Sequence, residues 1–307
     1  MIYNFTKQQE NRILEEWGYD FLRILHLTVR VLSEKWKLSD LEFGEYYRGY
    51  AIFFCKSALY GDCVLKISRD GDEPLSDYNS FCEHFNEQNG RYHVKAYGHD
   101  DGALLVERAI PGIMLSEEPS LEKRLAVFSD MFKERHIEAK RPELFKSFIN
   151  VFDYYMDYVI DRPEELKELY VHTMNAVEIC TKILIEYDKK MLIHLDLCAV
   201  NIVSSGNGQY KIIDPDETVI GDPVFETGRM IGTECCQFKK DRNVERAEFV
   251  VNYLEKSLNI PNKILRQCLY LDTVIEECKN SRWGEPGRII DTDRLLFAES
   301  IMNNGNN

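Results

Sequence analysis

The chain contains the run Ile193-His194-Leu195-Asp196-Leu197-Cys198-Ala199-Val200-Asn201-Ile202-Val203, followed closely by Tyr210-Lys211-Ile212-Ile213-Asp214-Pro215. The pattern predicts the end of an apolar strand, a polar loop, and then two short strands joined by a Gly- and Ser-rich turn. Asp196 and Asn201 lie in the loop, and Asp214 closes the second strand. The stretch therefore brings two carboxylates and a carboxamide to the ends of short strands.

The order and spacing of these polar side chains indicate phosphoryl transfer. His194, Asp196 and Asn201 have the spacing of the kinase catalytic loop H-x-D-x-x-x-x-N, and a metal-binding Asp follows that loop on a strand. We expect Asp196 to accept the proton of a substrate hydroxyl. Asn201 and Asp214 offer the oxygen ligands that Mg²⁺ prefers. We assign His194 to holding the loop by hydrogen bonding. Isolated Asp-x4-Asn pairs arise by chance, so the assignment depends on the surrounding elements.

A small antiparallel sheet is predicted upstream of this loop. The β-rich runs Tyr50–Cys55 and Cys63–Ile67 flank a turn around Gly61, and Phe43–Gly49 reads as a strand-turn-strand loop before them. Lys66 lies within a run of Val, Leu and Ile. One interpretation is a side chain that reaches solvent at a sheet edge. The other is the strand lysine of kinases, which pairs with the α- and β-phosphates of ATP.

A lysine in that role requires an acidic partner on a following helix. The helix predicted over Leu75–Glu87 places Asp77 at the border of its apolar face, one turn before Phe81. Glu73 and Glu83 compete for the same role. We therefore predict that Asp77 pairs with Lys66, with the two glutamates as alternatives.

A second pair of strands, His93–Tyr97 and Ala103–Val106, leads into a connection that begins Glu107-Arg108-Ala109 and ends in Pro-Gly. We expect the backbone of these three residues to bind the edge of adenine. The alternative is an ordinary linker between domains. Both interpretations divide the chain after Arg108, into an ATP-binding lobe (1–108) and a mostly helical lobe (109–307) with the catalytic loop, metal and acceptor sites.

Helical periodicity dominates both ends of the chain. It predicts a first helix over Gln8–Glu34, broken near Gly18, and a series of later helices: Leu121–His136, Pro142–Ile160, Pro163–Lys189, Thr227–Gln237, Asn243–Leu258 and Pro261–Asn280. The expected fold class is therefore α+β, with a small sheet lobe and a larger helical lobe. Four carboxylates of the large lobe are candidates for holding a cationic acceptor: Glu226, Asp272, Glu276 and Glu277.

Composition excludes several classes of function. The formal net charge of −14 disfavours nucleic acid and anionic membranes as partners. No apolar run approaches the length of a membrane span, and the scattered cysteines form neither a zinc pattern nor a disulfide framework. We expect a cytoplasmic protein, and the sequence leaves its oligomeric state open.

The motifs resemble those of the aminoglycoside phosphotransferase family, protein-kinase-like enzymes that phosphorylate small-molecule hydroxyls. The chain is most similar to the branch of streptomycin and hydroxyurea antibiotic-resistance kinases. The matching segments are Glu34-Lys35-Trp36-Lys37-Leu38, Val64-Leu65-Lys66, the run from Asp101 to Arg108, Ile213-Asp214-Pro215 and Gly221-Asp222-Pro223. The resemblance implies a two-lobe kinase-like fold with ATP and Mg²⁺ as cofactors and a small-molecule hydroxyl as acceptor.

Some positions depart from the family pattern. The Gly and the second His of the family's loop are Leu195 and Cys198 here, and Asp216-Glu217 replaces the basic residue that often follows I-D-P. These positions lie where the acceptor hydroxyl approaches the base. Three functions therefore remain open: a kinase for an aminoglycoside-type antibiotic, a metabolic kinase for an amino alcohol or sugar, and a catalytically weak nucleotide-binding protein.

Overall fold

The computed structural model describes residues 5–47, 50–68, 91–100, 102–215, 217–237, 242–283 and 289–304, and these have the expected α+β architecture. The chain divides into two compact units, Met1–Gly112 with Ser204–Lys211, and Ile113–Val203 with Ile212–Asn307. The assignment of nucleotide and acceptor roles to lobes divided after Arg108 stays a prediction. None of the helices in the described ranges is long and apolar enough to cross a membrane.

Helix α1 (Lys7–Trp36) opens the first unit. Its start is fixed by a capping box, in which the Thr6 side chain accepts from the backbone N–H of Gln9 and the Gln9 side chain accepts from the backbone N–H of Thr6. Gly18 has a φ of 81° and interrupts the helix, which confirms the predicted break. The apolar face of α1 shares a core with the sheet: Ile13, Phe21, Leu22, Leu25, Val29, Leu32 and Trp36.

The sheet of the first unit is antiparallel, with the strand order β1-β2-β3-β5-β4. Its strands are β1 (Leu38–Tyr47), β2 (Tyr50–Ser57), β3 (Gly61–Ser68), β4 (Ala96–Asp100) and β5 (Ala103–Glu107). Burial alternates along β2 and β3, so one face of each strand covers the core.

Two boundaries in this sheet differ from the prediction. Strand β1 continues to Tyr47, through most of the segment predicted as a strand-turn-strand loop, because it pairs with β2 along its length. Strand β4 begins at Ala96 rather than His93 and extends to Asp100. The helix predicted over Leu75–Glu87, with Asp77, Glu73 and Glu83, lies outside the described residues.

The second unit is mostly helical. Its helices are α2 (Leu121–Glu134), α3 (Phe148–Ile160), α4 (Lys167–Glu186), α5 (Glu226–Gly232), α6 (Val244–Leu258), α7 (Asn262–Trp283) and α8 (Thr292–Asn304). Its strand β6 (Met191–Ile193) pairs antiparallel with β9 (Val219–Gly221). Strand β7 (Ile202–Gly206) pairs with β8 (Gln209–Ile212), and residues Ser204–Lys211 of this pair belong to the first unit. Helix α8 lies beyond the last predicted helix.

Helices α5 and α7 position the site. Helix α5 is buried along its whole length and continues as a π-helical turn, Thr233–Gln237. Gly228 lets α5 approach α7 closely, because a Cβ atom there would overlap the carbonyl oxygen of Cys268. The predicted helix Pro142–Ile160 is split: a 3₁₀ turn, Pro142–Leu144, precedes α3, whose N-cap is the Ser147 side chain.

Candidate active site

A buried histidine holds the loop between β6 and β7 in place. His194 is 1% exposed, and its Nε2 lies 2.9 Å from the carbonyl oxygen of Ile213, to which it donates. Burial lowers the pKa of His194, and the nearby Arg135 lowers it further. A neutral ring that bridges the loop to the end of β8 fits the expected loop-holding role.

Glu226 holds the same loop through its backbone. The backbone N–H of His194 donates to Oε1 of Glu226, and Arg135 and His136 contact Oε2. Burial would raise the pKa of Glu226, but Arg135 and then His136 outweigh it and lower the pKa to about 2. Glu226 is fully buried and engaged by these groups, so it is not available to bind an acceptor, and that expectation is wrong. Its contacts instead anchor the loop.

The structure brings Asp196 and Asn201 into direct contact. Nδ2 of Asn201 donates to the carbonyl oxygen of Asp196 at 2.8 Å and to Oδ2 of the same residue at 2.9 Å. The amide oxygen of Asn201 is therefore the atom that can face a cation. The six-residue segment from Asp196 to Asn201 is closed by these two hydrogen bonds, which fix the carboxylate of Asp196 in one orientation.

A buried arginine contacts the other oxygen of Asp196. Nε of Arg229, on α5, lies 2.8 Å from Oδ1 of Asp196. Burial raises the pKa of Asp196 to about 6; Arg229 opposes this shift, and Glu217 and Glu276 add to it. Asp196 is consequently ionised at neutral pH but remains a stronger base than an ordinary aspartate.

Leu195 in the loop and Asp214, two residues after the end of β8, have left-handed backbone. Leu195, which stands where the resembling family has Gly, has a φ of 56°, and Asp214 has a φ of 59°. Asp tolerates this region, whereas a leucine there is strained. Asp214 lies close enough to His194 for its charge to raise the pKa of the ring.

A cavity of about 30 Å³ lies beside the loop, within the second unit. Apolar side chains form part of its lining, among them Phe148 and Phe225, whose rings stack with centroids 4.0 Å apart. Charged side chains also line it. The lining residues are Phe148, Val151, Phe152, Tyr155, Leu195, Glu217, Phe225, Arg229, Leu271, Asp272, Ile275, Glu276 and Lys279.

The charges of this cavity are paired with one another. Nη2 of Arg229 lies 2.6 Å from Oε1 of Glu276, and its Nε lies 3.7 Å from Oδ1 of Asp272. Burial would raise the pKa of Glu276, but Arg229 and Lys279 lower it to about 2. Burial raises the pKa of Asp272 to about 6, against the opposing effect of Arg229.

The four carboxylates predicted for a cationic acceptor thus separate into two groups. Asp272 and Glu276 line the cavity. Glu277 does not; it pairs with Arg294 at 3.3 Å and accepts from the backbone N–H of Asp291. Glu226 anchors the loop. Sequence reasoning also missed Arg229 and Lys279, although three carboxylates close together on α7 signal that buried cations must neutralise them.

In the first unit, Lys66 lies on β3, opposite Ile52 on strand β2 and Leu104 on strand β5. Its Nζ is 4.0 Å from the centroid of the Tyr50 ring, a cation–π contact. Lys66 is therefore on the central strand of the five, not at a sheet edge, which argues against the interpretation as an edge lysine. The nucleotide role predicted for it stays a prediction.

The predicted hinge residues make mostly internal contacts. The Glu107 carboxylate accepts from Lys211 Nζ at 2.5 and 2.6 Å and from the backbone N–H of Lys95. The backbone N–H groups of Glu107 and Arg108 donate to the carbonyl oxygens of Lys95 and Asp62. Of the three predicted hinge amides, that of Ala109 is the candidate donor to a purine.

The sequence profile of the aminoglycoside/hydroxyurea antibiotic resistance kinases matches residues 60–284. The chain belongs to this family. As a member of the resistance-kinase family it is a small-molecule kinase, and the expected relationship is confirmed. No curated protein matches the chain in sequence.

Solved structures share the fold of this resistance-kinase family member. Choline kinase LicA from Streptococcus pneumoniae is 16% identical, with a TM-score of 0.66 over 92% of this chain and 99% of that one. ADP-bound aminoglycoside phosphotransferase APH(2'')-Ib is 17% identical, with a TM-score of 0.61 over 89% and 95% of the two chains. A choline/ethanolamine kinase family protein from Mesorhizobium loti is 12% identical, with a TM-score of 0.62 over 86% and 88%. The kinase-like two-lobe fold class is confirmed.

Proposed function

We propose that this small-molecule kinase transfers the γ-phosphoryl group of ATP to a hydroxyl group of its acceptor. The hydroxyl oxygen forms the new bond to phosphorus, the hydroxyl proton passes to a carboxylate oxygen of Asp196, and ADP leaves with the electron pair of the broken P–O bond. The observation that carries the proposal is the state of Asp196, which Asn201 and Arg229 hold in place and whose pKa is about 6. General-base catalysis of this kind contributes about 10²–10⁴ in rate.

Asn201 and Asp214 would hold Mg²⁺, which supplies charge neutralisation at the phosphates when it is bound. The donor set fits, because the Asn201 amide nitrogen is engaged by Asp196 and its oxygen is left for the cation. Groups of three or more His, Cys, Asp or Glu that could hold a metal do not occur among the described residues. A magnesium site completed by nucleotide phosphates and water needs few protein ligands.

Lys66 would bind the ATP phosphates, and the segment Glu107, Arg108 and Ala109 would bind adenine, with Ala109 as the amide donor. Asp77 remains the proposed partner of Lys66. Nucleotide use is supported by structures with the same fold, among them LicA in complex with AMP and a ternary complex of aminoglycoside phosphotransferase APH(4)-Ia with ADP and hygromycin B.

The acceptor would occupy the cavity beside Leu195 and Arg229. Aminoglycoside-type antibiotics, amino alcohols and sugars are the candidate classes. An ATP-consumption assay against a panel of these compounds, run with wild type and Asp196→Asn, tests the proposal. We expect turnover of at least one acceptor by wild type, and a variant that retains nucleotide binding in a thermal-shift titration but loses turnover. Full activity of Asp196→Asn would rule out Asp196 as the base.

A catalytically weak nucleotide-binding protein is the second candidate. It is favoured by the ion pair between Arg229 and Asp196, which competes with a substrate hydroxyl for Oδ1, and by the left-handed backbone of Leu195. Binding of ATP without turnover of any acceptor in the same assay would select this function.

A further inference from the structure

We propose that Lys279 is a specificity-determining residue, whose ammonium group fills the cation position of the acceptor cavity. The cavity would then select acceptors that bring no positive charge of their own to that position. The inference rests on the proposed function only in using this cavity as the acceptor site.

The contacts of Lys279 support this role. It projects from α7 between two carboxylates of the cavity: its Nζ contacts Oε1 of Glu217 and lies 4.0 Å from Oε1 of Glu276. Its side chain is 26% exposed, and it lines the cavity together with both partners. The ammonium group is therefore part of the cavity wall rather than a solvated surface charge.

Without this ammonium the cavity would have the chemistry of a cation site. Glu217, Asp272 and Glu276 line it, and Arg229 would be the one cation left among the lining residues. Arg229 is already engaged by Asp196 and Glu276. Aromatic rings also line the cavity, and carboxylates combined with aromatic faces bind alkylammonium groups.

The chain supplies this cation itself and keeps it charged. Burial would lower the pKa of Lys279, but Glu217 and Glu276 outweigh it and raise the pKa above its ordinary value. Tyr155 also faces the ammonium; burial raises its pKa to about 12, so it is neutral at physiological pH. A second cation at this position would meet a like charge at close range, which excludes ligands of that kind.

The test is Lys279→Met, which keeps an unbranched side chain one atom shorter than lysine and removes its charge. Choline and its uncharged analogue 3,3-dimethyl-1-butanol are titrated into the protein without nucleotide, with isothermal calorimetry as the readout. We expect Lys279→Met to bind choline at least about tenfold more tightly than wild type, while its affinity for the analogue changes less than about threefold. Lys182→Met is the matched control, since Lys182 forms an exposed pair with Glu178 on α4, and it should behave as wild type.

The inference is overturned if wild type binds choline as tightly as Lys279→Met, or if the gain is equal for choline and the uncharged analogue. If Lys279→Met fails to fold, Lys279→Gln replaces it, because an amide keeps a hydrogen bond to Glu217 without the charge; the same outcomes decide. The wild-type titration is informative by itself, since selective binding of choline over the analogue contradicts the proposal. The readout is binding, so absence of turnover with every acceptor would refute the proposed function and leave this inference standing.

Discussion

Nε of Arg229 lies 2.8 Å from Oδ1 of Asp196, which places a buried guanidinium directly on the proposed base. The same guanidinium contacts Glu276 through Nη2. Arg229 therefore links the catalytic loop to the carboxylates of Asp272 and Glu276 on α7. The pKa of Asp196 depends on this contact, because Arg229 is the main group that opposes the effect of burial.

The first prediction concerns the pH profile. Asp196 must be ionised to accept a proton, so kcat/KM of wild type should fall as the pH drops below about 6. Arg229→Met removes the opposing cation, so the pKa of Asp196 should rise and the acid limb should move to higher pH. Arg229→Lys, which keeps the charge, should leave the limb near its wild-type position.

Arg246→Met is the control for this profile. Arg246 pairs with Glu234, away from the loop, and its loss should leave the acid limb unchanged. The interpretation fails if the limb of Arg229→Met does not move, or if Arg246→Met moves it equally.

The second prediction concerns the loop anchor. Glu226→Gln leaves Arg135 without its charged partner and should lower the free energy of unfolding at neutral pH by about 3–5 kcal/mol. The lowered pKa of Glu226 means that this stabilisation is present above pH 4.5 and is lost as the pH falls toward 2. Urea denaturation at pH 7 and pH 3 should therefore show a smaller difference between variant and wild type at pH 3.

Glu234→Gln is the matched control for Glu226→Gln, because Glu234 is a buried carboxylate that pairs with Arg124 and Arg246. Both variants should be destabilised. At a temperature where both are folded, only Glu226→Gln should lose phosphotransfer, since only Glu226 binds the backbone of the catalytic loop. Equal losses would show that Glu226 acts through stability alone.

The third prediction concerns the strained backbone of Leu195. With a φ of 56°, this position should prefer Gly over Ala by about 1–2 kcal/mol. Val171, exposed on α4, is the comparison site, where Ala should exceed Gly by about 1 kcal/mol. Thermal unfolding of Leu195→Ala, Leu195→Gly, Val171→Ala and Val171→Gly measures both differences. A higher stability of Leu195→Ala than of Leu195→Gly would contradict a left-handed backbone at position 195.

The fourth prediction concerns nucleotide binding. Lys66→Met should weaken ATP binding roughly 10- to 100-fold, the range expected for losing a charge-assisted hydrogen bond to phosphate. Lys56→Met is the control, because Lys56 is an exposed lysine on the adjacent strand, paired with Asp40. Affinities from calorimetric titration with ATP and Mg²⁺ decide; unchanged affinity of Lys66→Met would remove Lys66 from the nucleotide site.

Local patterns predicted much of the architecture. The break at Gly18 follows from the conformational freedom of glycine. The antiparallel pairing of β2 with β3 follows from two successive β-rich runs that flank a turn around Gly61. The family relationship was visible in short motifs around Asp196 and Asp214. Helix α8 escaped prediction, and the segment that holds Asp77 lies outside the described residues.

The environment of the site required the tertiary structure. Glu226 was predicted to face an acceptor because its position along the chain says nothing about Arg135, which reaches it from the end of α2. Arg229 and Lys279 were missed for the same reason: each neutralises a carboxylate from a distant segment, Asp196 for Arg229 and Glu217 for Lys279.

Short-range periodicity and residue types at fixed spacing are sufficient to predict the fold class, the family and the loop that carries Asp196 and Asn201. The cations that neutralise the buried carboxylates, and the carboxylates that line the cavity, are identified only by the side-chain contacts of the folded chain. A buried charge is stable only beside an opposite charge, and in this protein most of those partners come from distant parts of the chain.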